Sequence, residues 1–248
     1  RVSNNIIEGF IPSFIGNLTN LVTLYLRYNN FWGYIPPTLG QLSNLNSLDL
    51  SNNHFSGTIP SALFNLTNLS RLDIHMNTAM GGFLSEEIGN LKSLVELDLS
   101  YSVFSGSIPP ALGQLSNLNS LNLNNNHFSG TIPSALFNLT NLSRLDIHFN
   151  PAMGGFLSEE IGNLKSLVEL DFSGLNLSGA LPLTLCRLTK LVSLSGAENQ
   201  IHGSIPSEIG NLKNLKHLFL ESNRLTGQIP PTLGSLTTLI YLDLSSNQ

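Results

Sequence analysis

Pairs of apolar residues separated by one residue recur along the whole chain every 24 or 25 residues. Such alternation places the two apolar side chains on one face of a short β-strand and the intervening residue on the other face. One strand per repeat, at a nearly constant period, predicts that successive strands stack in parallel over a common core. The pairs are Leu24/Leu26, Leu48/Leu50, Leu72/Ile74, Leu97/Leu99, Leu121/Leu123, Leu145/Ile147, Leu170/Phe172, Leu194/Gly196, Leu218/Leu220 and Leu242/Leu244.

Two further columns of residues keep the same period. An asparagine follows the apolar pair in most repeats, and its side chain can satisfy backbone groups that a turn leaves without strand partners. A glycine then occurs in every repeat, shortly before Ile-Pro or a close variant, which favours a bend with positive φ and stops a helix. The return path is therefore predicted to be extended or 3₁₀. Ser102 and Leu175 replace the asparagine; the glycines are Gly9, Gly33, Gly57, Gly82, Gly106, Gly130, Gly155, Gly179, Gly203 and Gly227.

The full pattern resembles the plant-specific leucine-rich repeat. It reads L-x-x-L-x-x-L-x-L-x-x-N-x-L-x-G-x-I-P-x-x-L-G-x-L, as in residues 42–66 or 212–236, and it covers residues 1–248 as a single solenoid of about ten repeats. The resemblance implies a leucine-rich-repeat solenoid, an α/β-class horseshoe or right-handed superhelical arc. Its concave face would carry a parallel sheet and its convex face 3₁₀ or extended segments and turns.

The resembled family includes ectodomains of receptor kinases and receptor-like proteins, and secreted polygalacturonase inhibitors. Its solenoids usually end in caps with cysteine pairs, which shield the apolar core from water. Neither cap is present in this sequence, and the one cysteine, Cys186, is expected to be a small buried filler. We expect a longer protein, and receptor and secreted binder stay open as alternatives.

A larger repeat is superimposed on the first. Residues 40–100 align with residues 113–173 at an offset of 73 residues. One interpretation is unequal crossing-over without functional meaning. The other is that two copies of one surface patch lie three strands apart, roughly 14 Å at a strand spacing of ~4.8 Å, and bind a repetitive ligand. The copies differ only at Asp49/Asn122, Ser51/Asn124, Met76/Phe149, Thr78/Pro151 and Leu99/Phe172.

Residues that the predicted strands and their flanks turn outward are the candidates for ligand binding. Exposed aromatic residues and arginines carry much of the energy of protein interfaces, so Tyr25, Tyr28, Tyr101, Phe149 and Phe219 are the leading anchors. Single exposed aromatic residues are also common without a function, and both interpretations stay open. The other candidates are Arg27, Arg71, Asp73, His75, Met76, Asp98, Arg144, Asp146, His148, Asp171, His217 and Glu221.

Charged residues on the predicted sheet form columns and pairs. Neighbouring carboxylates about 5 Å apart repel, so some aspartates should have raised pKa values or hold a counter-ion, although Leu-Asp-Leu also occurs simply as a soluble strand. His75 and His148 could sense acidity outside a plant cell or be merely solvated. Cross-strand ion pairs are predicted for Arg71/Glu96 and Arg144/Glu169, and the aspartate column is Asp49, Asp73, Asp98, Asp146 and Asp171.

Composition and motifs argue against several functions. With a net charge of -5 and only 11 Lys and Arg, the chain lacks the basic surface that nucleic acid requires, and no apolar run approaches a membrane span. No nucleophile elbow, phosphate loop or metal-ligand spacing occurs, and an open sheet offers no water-excluded cleft. We therefore expect no enzyme activity, cofactor or metal.

Six N-x-[ST] sequons predict glycosylation and hence an extracellular location, in the apoplast or at the cell surface. Such triplets also arise by chance in a chain rich in asparagine. Two of them, Asn68 and Asn141, lie three residues after another acceptor and are expected to be less often occupied. The others are Asn17, Asn65, Asn138 and Asn176.

The leading hypothesis is a non-catalytic extracellular recognition module of plant signalling or defence that binds a peptide or protein on the concave sheet or its edge. A co-receptor and a cell-wall polysaccharide are further candidate partners. The alternative is a structural or surface-adsorbing protein whose repeats meet a polysaccharide, an ice plane or copies of themselves. The duplication favours the alternative, whereas the irregular aromatic residues and the departures at Ser102 and Leu175 favour recognition.

Overall fold

Short parallel strands, one in each repeat, form a continuous sheet along the concave face of the solenoid. A computed structural model describes residues 3–248 of the protein. The central leucines of neighbouring strands lie opposite each other, as Leu72 does opposite Leu97. The predicted leucine-rich-repeat solenoid is thereby confirmed. The strands of this concave sheet are Thr23–Tyr25, Ser47–Asp49, Arg71–Asp73, Glu96–Asp98, Ser120–Asn122, Arg144–Asp146, Glu169–Asp171, Ser193–Ser195, His217–Phe219 and Tyr241–Asp243.

The core is a column of apolar side chains that extends from repeat to repeat. The two members of each strand pair face it, and Leu72 and Ile74, for example, are fully buried. Each such side chain stabilises the fold by roughly 2 kcal/mol relative to an exposed one. Equivalent phenylalanines stack in register, with ring centroids 6.3 Å apart for Phe104 and Phe128. The core therefore repeats with the same period as the sequence.

A second set of strands, the lateral sheet, follows the turn after each concave strand. The sequence predicted extended backbone here but did not predict a sheet. Positive φ at the invariant glycine, 77° at Gly57, ends the strand and turns the chain toward the convex side. Its strands are Glu8–Gly9, Asn30–Tyr34, His54–Gly57, Ala79–Phe83, Val103–Ser107, His127–Gly130 and Ala152–Met153, followed by the pairs Gly155–Phe156 with Leu177–Ser178 and His202–Gly203 with Arg224–Leu225.

Five-residue 3₁₀ helices lie on the convex side of the repeats, as predicted, and residues 3–248 contain no α-helix. An extended proline precedes most of them, whereas Ser85 and Ser158 take its place and accept a hydrogen bond from a backbone N–H of the first turn. Within that same range, no helix is long and apolar enough to cross a bilayer. The helices are Ser13–Asn17, Pro37–Gln41, Ser61–Asn65, Glu86–Asn90, Pro110–Gln114, Ser134–Asn138, Glu159–Asn163, Leu183–Arg187, Ser207–Asn211 and Pro231–Ser235.

Cys186 lies in one of these helices and is buried, as expected. Burial raises the pKa of its thiol to about 11, with a smaller contribution from the charge of Glu208. A thiol with such a pKa stays protonated at neutral pH and is a poor nucleophile. Its role is packing.

The asparagine column forms a ladder of side-chain hydrogen bonds between repeats. The Asn77 Nδ2 donates to the Ile74 carbonyl at 2.8 Å and to the Leu50 carbonyl of the preceding repeat at 3.1 Å. Its Oδ1 accepts from the Phe55 N–H at 3.0 Å. One amide thus satisfies three buried backbone groups and joins two repeats. Comparable bonds are made by Asn29, Asn53, Asn126, Asn150, Asn199, Asn223 and Asn247.

The ladder is weaker at its two departures. Ser102 donates one bond, at 3.4 Å, to the Ser100 carbonyl of its own repeat. Leu175 offers no polar atom, and the next asparagine compensates: the Asn199 Oδ1 accepts from both the Leu175 and the Leu177 N–H, at 3.2 and 2.8 Å. At Leu175, therefore, the next asparagine of the ladder accepts the hydrogen bond of an additional backbone N–H.

Replacing Asn77 with alanine should lower the free energy of unfolding by about 3 kcal/mol, because buried backbone groups lose their partners at about 1–3 kcal/mol each. Denaturant unfolding followed by circular dichroism measures the change. Ser102→Ala is the control in the same column, and it should cost less than about 1 kcal/mol. Equal losses in the two variants would contradict a structural role for the ladder.

Candidate ligand-binding surface

A column of residues with positive φ marks the edge where the concave sheet meets the lateral sheet. The backbone N–H of these residues bonds to the next repeat, as Met76 does to the Ser100 carbonyl at 3.0 Å. The left-handed conformation costs a residue other than glycine roughly 1–2 kcal/mol. Nevertheless, four large side chains occupy it, at Tyr28, Met76, Tyr101 and Phe149, with φ between 50° and 54°.

These four side chains are 43–51% exposed. Each of these residues combines a costly backbone conformation with a large side chain that the fold buries only in part. Strain of this kind is a reason to look for a function. Tyr28, Met76, Tyr101 and Phe149 were all predicted as ligand-binding candidates, and the structure brings them to one edge.

Three of them line a cleft of about 490 Å³, the edge groove. This volume falls within the range of ligand sites in proteins. Amides and hydroxyls alternate with the apolar side chains, so the edge groove offers hydrogen bonds beside apolar anchors. Its lining is Asn5, Tyr28, Asn29, Asn30, Asn52, Asn53, His54, Met76, Thr78 and Tyr101.

A second cleft, of about 380 Å³, lies on the same edge around Phe149. The Phe149 ring packs against Gly174, where a Cβ atom would lie 2.7 Å from the ring, and meets the His148 ring edge-on at 5.1 Å. Gly174 therefore leaves the space that the aromatic ring fills. The remaining lining residues are Pro151, Asn176, Glu198, Asn199 and Gln200.

The floor of the concave sheet is more crowded than the sequence suggested. Asp49, Asp73 and Asp146 were expected to face solvent, but Asp49 is only 2% exposed and the other two are also buried. Arginine side chains from the same and neighbouring strands lie across them: Arg27 Nη1 is 3.5 Å from the Asp49 Oδ2, and Arg71 Nη2 is 2.8 Å from the Asp73 Oδ2. The counter-ions expected for this column are these arginines.

Both predicted cross-strand ion pairs form. Arg71 hydrogen-bonds to Glu96, and Arg144 Nη1 lies 3.6 Å from the Glu169 Oε2. Each arginine also contacts the aspartate two residues further along its own strand. The guanidinium groups are therefore partly neutralised within the protein before any ligand binds.

Each copy of the duplicated block holds a histidine against an aspartate. His75 Nδ1 is 2.6 Å from the Asp73 Oδ1, and His148 Nδ1 is 2.6 Å from the Asp146 Oδ1. The hydrogen bond to Asp73 raises the pKa of His75 against the opposing effect of burial. For His148, burial lowers the pKa, but the hydrogen bond and charge of Asp146 outweigh it, so the net shift is upward.

Two aspartates of the column have pKa values that are shifted in opposite directions. Burial raises the pKa of Asp98, and hydrogen bonds from Ser100 only partly offset it. Burial also acts to raise the pKa of Asp146, but the contacts with His148, together with hydrogen bonds from other side chains, lower it overall. The expectation that some carboxylates of the column have raised pKa values is met at Asp98.

The remaining candidates lie apart from the edge groove. At the C-terminal end of the concave sheet, His217 stacks on Phe219 at 6.3 Å and contacts Tyr241 at 5.5 Å. Glu221, two residues after Phe219 along the chain, is partly buried. Near the N-terminus, Tyr25 is half-buried and Arg27 covers Asp49. The aromatic group at the C-terminal end and the residues near the N-terminus are therefore two surfaces, each separate from the edge groove.

Sequence reasoning missed a group of exposed aromatic residues on the lateral sheet. They occupy the position directly after the invariant glycine, and Phe83 is 80% exposed. Tyr34 lies over Gly57 of the next repeat, where a Cβ atom would be 2.6 Å from the ring. The sequence signal for this group was the aromatic residue that directly follows the invariant glycine in some repeats. Its aromatic members are Phe10, Tyr34, Phe83 and Phe156.

All six sequon asparagines are exposed, but they differ in their hydrogen bonds. The Asn68 Nδ2 donates to the Ser43 carbonyl and the Asn141 Nδ2 to the Ser116 carbonyl, both at 2.9 Å. A glycan on either nitrogen would disturb a contact between repeats. The lower occupancy predicted for these two sites thus has a structural reason.

Comparison with known proteins identifies the repeat. A family model described as a leucine-rich repeat region matches residues 6–157, and a leucine rich repeat model matches residues 214–236. Among curated proteins, none matches the chain.

Several solved structures are similar over nearly the whole chain. The ectodomain of the Arabidopsis thaliana membrane receptor kinase GASSHO1/SCHENGEN3, in complex with CASPARIAN STRIP INTEGRITY FACTOR 2, is 33% identical with a TM-score of 0.84, covering 99% of this chain and 35% of its own. The plant peptide hormone receptor RGFR1, in complex with RGF2, is 30% identical with a TM-score of 0.85, covering 98% and 46%. The chain thus spans a third to a half of these ectodomains.

A plant ice-binding protein is also similar. It is 26% identical with a TM-score of 0.81, and the match covers 100% of this chain and 82% of that protein. The same solenoid therefore occurs in plant proteins with different kinds of ligand.

Proposed function

Because the chain belongs to the leucine-rich repeat family, we propose that it is a non-catalytic extracellular recognition module that binds an extended peptide segment along the edge groove. The segment is either a free peptide or part of a protein. Its backbone runs across the repeats, and its side chains enter the spaces between Tyr28, Met76 and Tyr101.

The observation that carries this proposal is the set of large apolar residues in strained, exposed positions of one edge. Aromatic and apolar anchors at the centre of a contact supply most of its binding energy, and surrounding polar groups fix the orientation. The edge groove combines both, since Asn30, Asn52 and Thr78 lie beside its apolar side chains. An extended peptide can use the amides for backbone hydrogen bonds and the apolar side chains as anchors.

The concave floor supports specificity more than affinity. Arg71 and Arg144 already pair with carboxylates of this chain, so a ligand must compete with these contacts. Such charges steer a ligand and reject wrong partners rather than add much net binding energy. The similar receptor kinase ectodomain is in complex with CASPARIAN STRIP INTEGRITY FACTOR 2, and the similar plant peptide hormone receptor RGFR1 is in complex with RGF2, which supports a peptide as the ligand class.

Peptides selected from a random displayed library against the immobilised chain provide the test. Tyr28→Ala and Tyr101→Ala should each weaken binding of such a peptide roughly fivefold or more, about 1 kcal/mol, because each removes an apolar anchor. Phe149→Ala should do so for a peptide long enough to reach the second cleft, and Arg144→Ala should have a smaller effect, because its charge already pairs within the chain. Calorimetry measures the affinity, and thermal unfolding should change little.

Glu160→Ala, on the convex 3₁₀ helix Glu159–Asn163, is the matched surface control and should leave affinity unchanged. Selection that yields no binder, or binders whose affinity is the same for all four variants and the wild type, would overturn the proposed groove.

An extracellular location is part of the proposal, and glycosylation tests it. In protein produced by a plant secretory host, Asn17, Asn65, Asn138 and Asn176 should carry glycans more often than Asn68 and Asn141, whose amides bond to the preceding repeat. Peptide mapping by mass spectrometry with and without glycosidase gives the occupancy of each site. Equal occupancy at all six sites would show that the hydrogen bonds of the Asn68 and Asn141 amides do not hinder glycosylation. Absence of a glycan at every site would count against secretion.

Ice adsorption is the second candidate, and similarity to the plant ice-binding protein over 82% of that protein's length is the observation that favours it. Binding to a crystal face requires a flat and regular array. The left-handed column instead runs Tyr28, Asn52, Met76, Tyr101, Asn125, Phe149, Gly174, Glu198, Ser222 and Ser246.

This irregularity favours recognition, so we expect the chain to produce neither thermal hysteresis nor inhibition of ice recrystallisation. Nanolitre osmometry and a recrystallisation assay measure both effects, with bovine serum albumin as the inactive control. Thermal hysteresis or inhibition of recrystallisation at micromolar protein concentration would make ice adsorption the leading candidate over peptide recognition.

A further inference from the structure

Two clusters of potential metal ligands lie on the concave floor, one in each copy of the duplicated block. Each consists of one imidazole and two carboxylates that offer one ligand atom apiece, and these atoms lie within 4.8 Å of one another. One aspartate ends a strand, the histidine lies two residues after it, and the other aspartate ends the next strand of the sheet. The first cluster is Asp73, His75 and Asp98; the second is Asp146, His148 and Asp171.

The ligand atoms of the first cluster are held by outer contacts. The second ring nitrogen of His75, Nε2, lies 2.9 Å from the Asn52 side-chain amide. With a metal on Nδ1 the Nε2 carries the proton and donates, so this amide must turn by about 180° to present its Oδ1. Arg71 binds the Asp73 Oδ2 at 2.8 Å and leaves the Oδ1 directed at the imidazole, 2.6 Å from Nδ1. The Ser100 N–H donates to the Asp98 Oδ1 at 3.0 Å. Outer contacts of this kind orient metal ligands and strengthen binding.

The second cluster reproduces this arrangement with partly different neighbours. Asn125 lies 3.2 Å from the His148 Nε2, and the Ser173 N–H donates to the Asp171 Oδ1 at 2.9 Å. The preceding strand carries Asn122 in place of Asp49, yet His148 Nδ1 remains 2.6 Å from Asp146 and 3.6 Å from the Asp171 Oδ2. The geometry therefore does not depend on the full aspartate column.

The ligand set selects among metals. One nitrogen and two carboxylate oxygens match in number the three protein ligands of an open zinc site, whose fourth position holds water. Tetrahedral ligands at bonds of about 2.0 Å lie roughly 3.3 Å apart, so the distances of 2.6 and 3.6 Å around His148 bracket this value. Calcium and magnesium prefer six or more oxygen ligands, which this site lacks.

Charge also suits a divalent cation. Two carboxylates and one arginine leave each cluster with a net charge of about -1 when the imidazole is neutral, and the bound ion would make it positive. Further charges of both signs surround the clusters: Asp49, Glu96 and Arg27 around the first, and Glu169 around the second. The clusters lie on the concave sheet, so a fourth ligand would approach from that side.

We propose that each cluster binds one Zn²⁺ ion, through the His75 or His148 Nδ1 and the two carboxylates of the same cluster. The ion takes the place of the proton between the imidazole and the nearer aspartate; that proton is released to solvent from a charged imidazole or moves to Nε2 in a neutral one, so that Nε2 carries the one remaining proton. The two sites lie three strands apart, roughly 14 Å at the usual strand spacing. This inference is independent of peptide binding in the edge groove.

Zinc binding to the tag-free, chelator-treated chain tests the proposal. Equilibrium dialysis against Zn²⁺ at neutral pH, with metal counted by atomic emission, should give two ions per chain. His75→Ala or His148→Ala should lower this to one, and the double variant should bind none. Tetrahedral Co²⁺ absorption bands should appear in the wild type and be halved in each single variant.

The chain contains its own matched control. His54 and His127 form another duplicated pair, both exposed on the lateral sheet, and the variant with both changed to alanine should still bind two ions. Circular dichroism without metal confirms that all variants are folded. Wild type that binds no Zn²⁺, or a stoichiometry lost with His54 and His127 instead of His75 and His148, would overturn the proposal.

Discussion

The asparagine ladder is the constraint on which the rest of the structure depends. At the end of each concave strand the backbone leaves the sheet while still buried, and its polar groups would be unsatisfied without a partner. The Asn77 amide serves three such groups and reaches into the preceding repeat. Repetition of this bond fixes the relative position of the repeats, so surface side chains in equivalent positions stand at a constant spacing. The solenoid is a rigid support for columns of side chains.

The proposed recognition surface follows from the geometry that the ladder imposes. The turn that presents the asparagine also forces the preceding residue into the left-handed region, as at Met76 with φ 53° before Asn77. Asparagine or glycine would satisfy that backbone at lower cost. This left-handed position nevertheless holds large side chains in four repeats, at Tyr28, Met76, Tyr101 and Phe149. Their exposed apolar surface can be buried by a binding partner.

Much of the fold was predictable because each column of the repeat has one mechanical role. Leu72, Asn77 and Gly82 each predicted a local feature that the structure contains: a buried strand residue, a ladder rung and a positive φ. The lateral sheet was not predictable, because its two- to five-residue strands depend on register between repeats. Burial of Asp49 was also missed, since it results from arginines of the preceding and the next repeat, Arg27 and Arg71. The histidine–aspartate clusters likewise combine residues from neighbouring repeats.

Hydrogen exchange on the free chain and on the chain saturated with a selected peptide tests the central claim most directly. We expect new protection at the edge between the concave and lateral sheets, in the backbone amides of residues 28–30, 52–54, 76–78 and 101–103, with little change in the convex 3₁₀ helices. Protection confined to the convex helices, or to the strand centres of the concave floor with the edge unchanged, would contradict it.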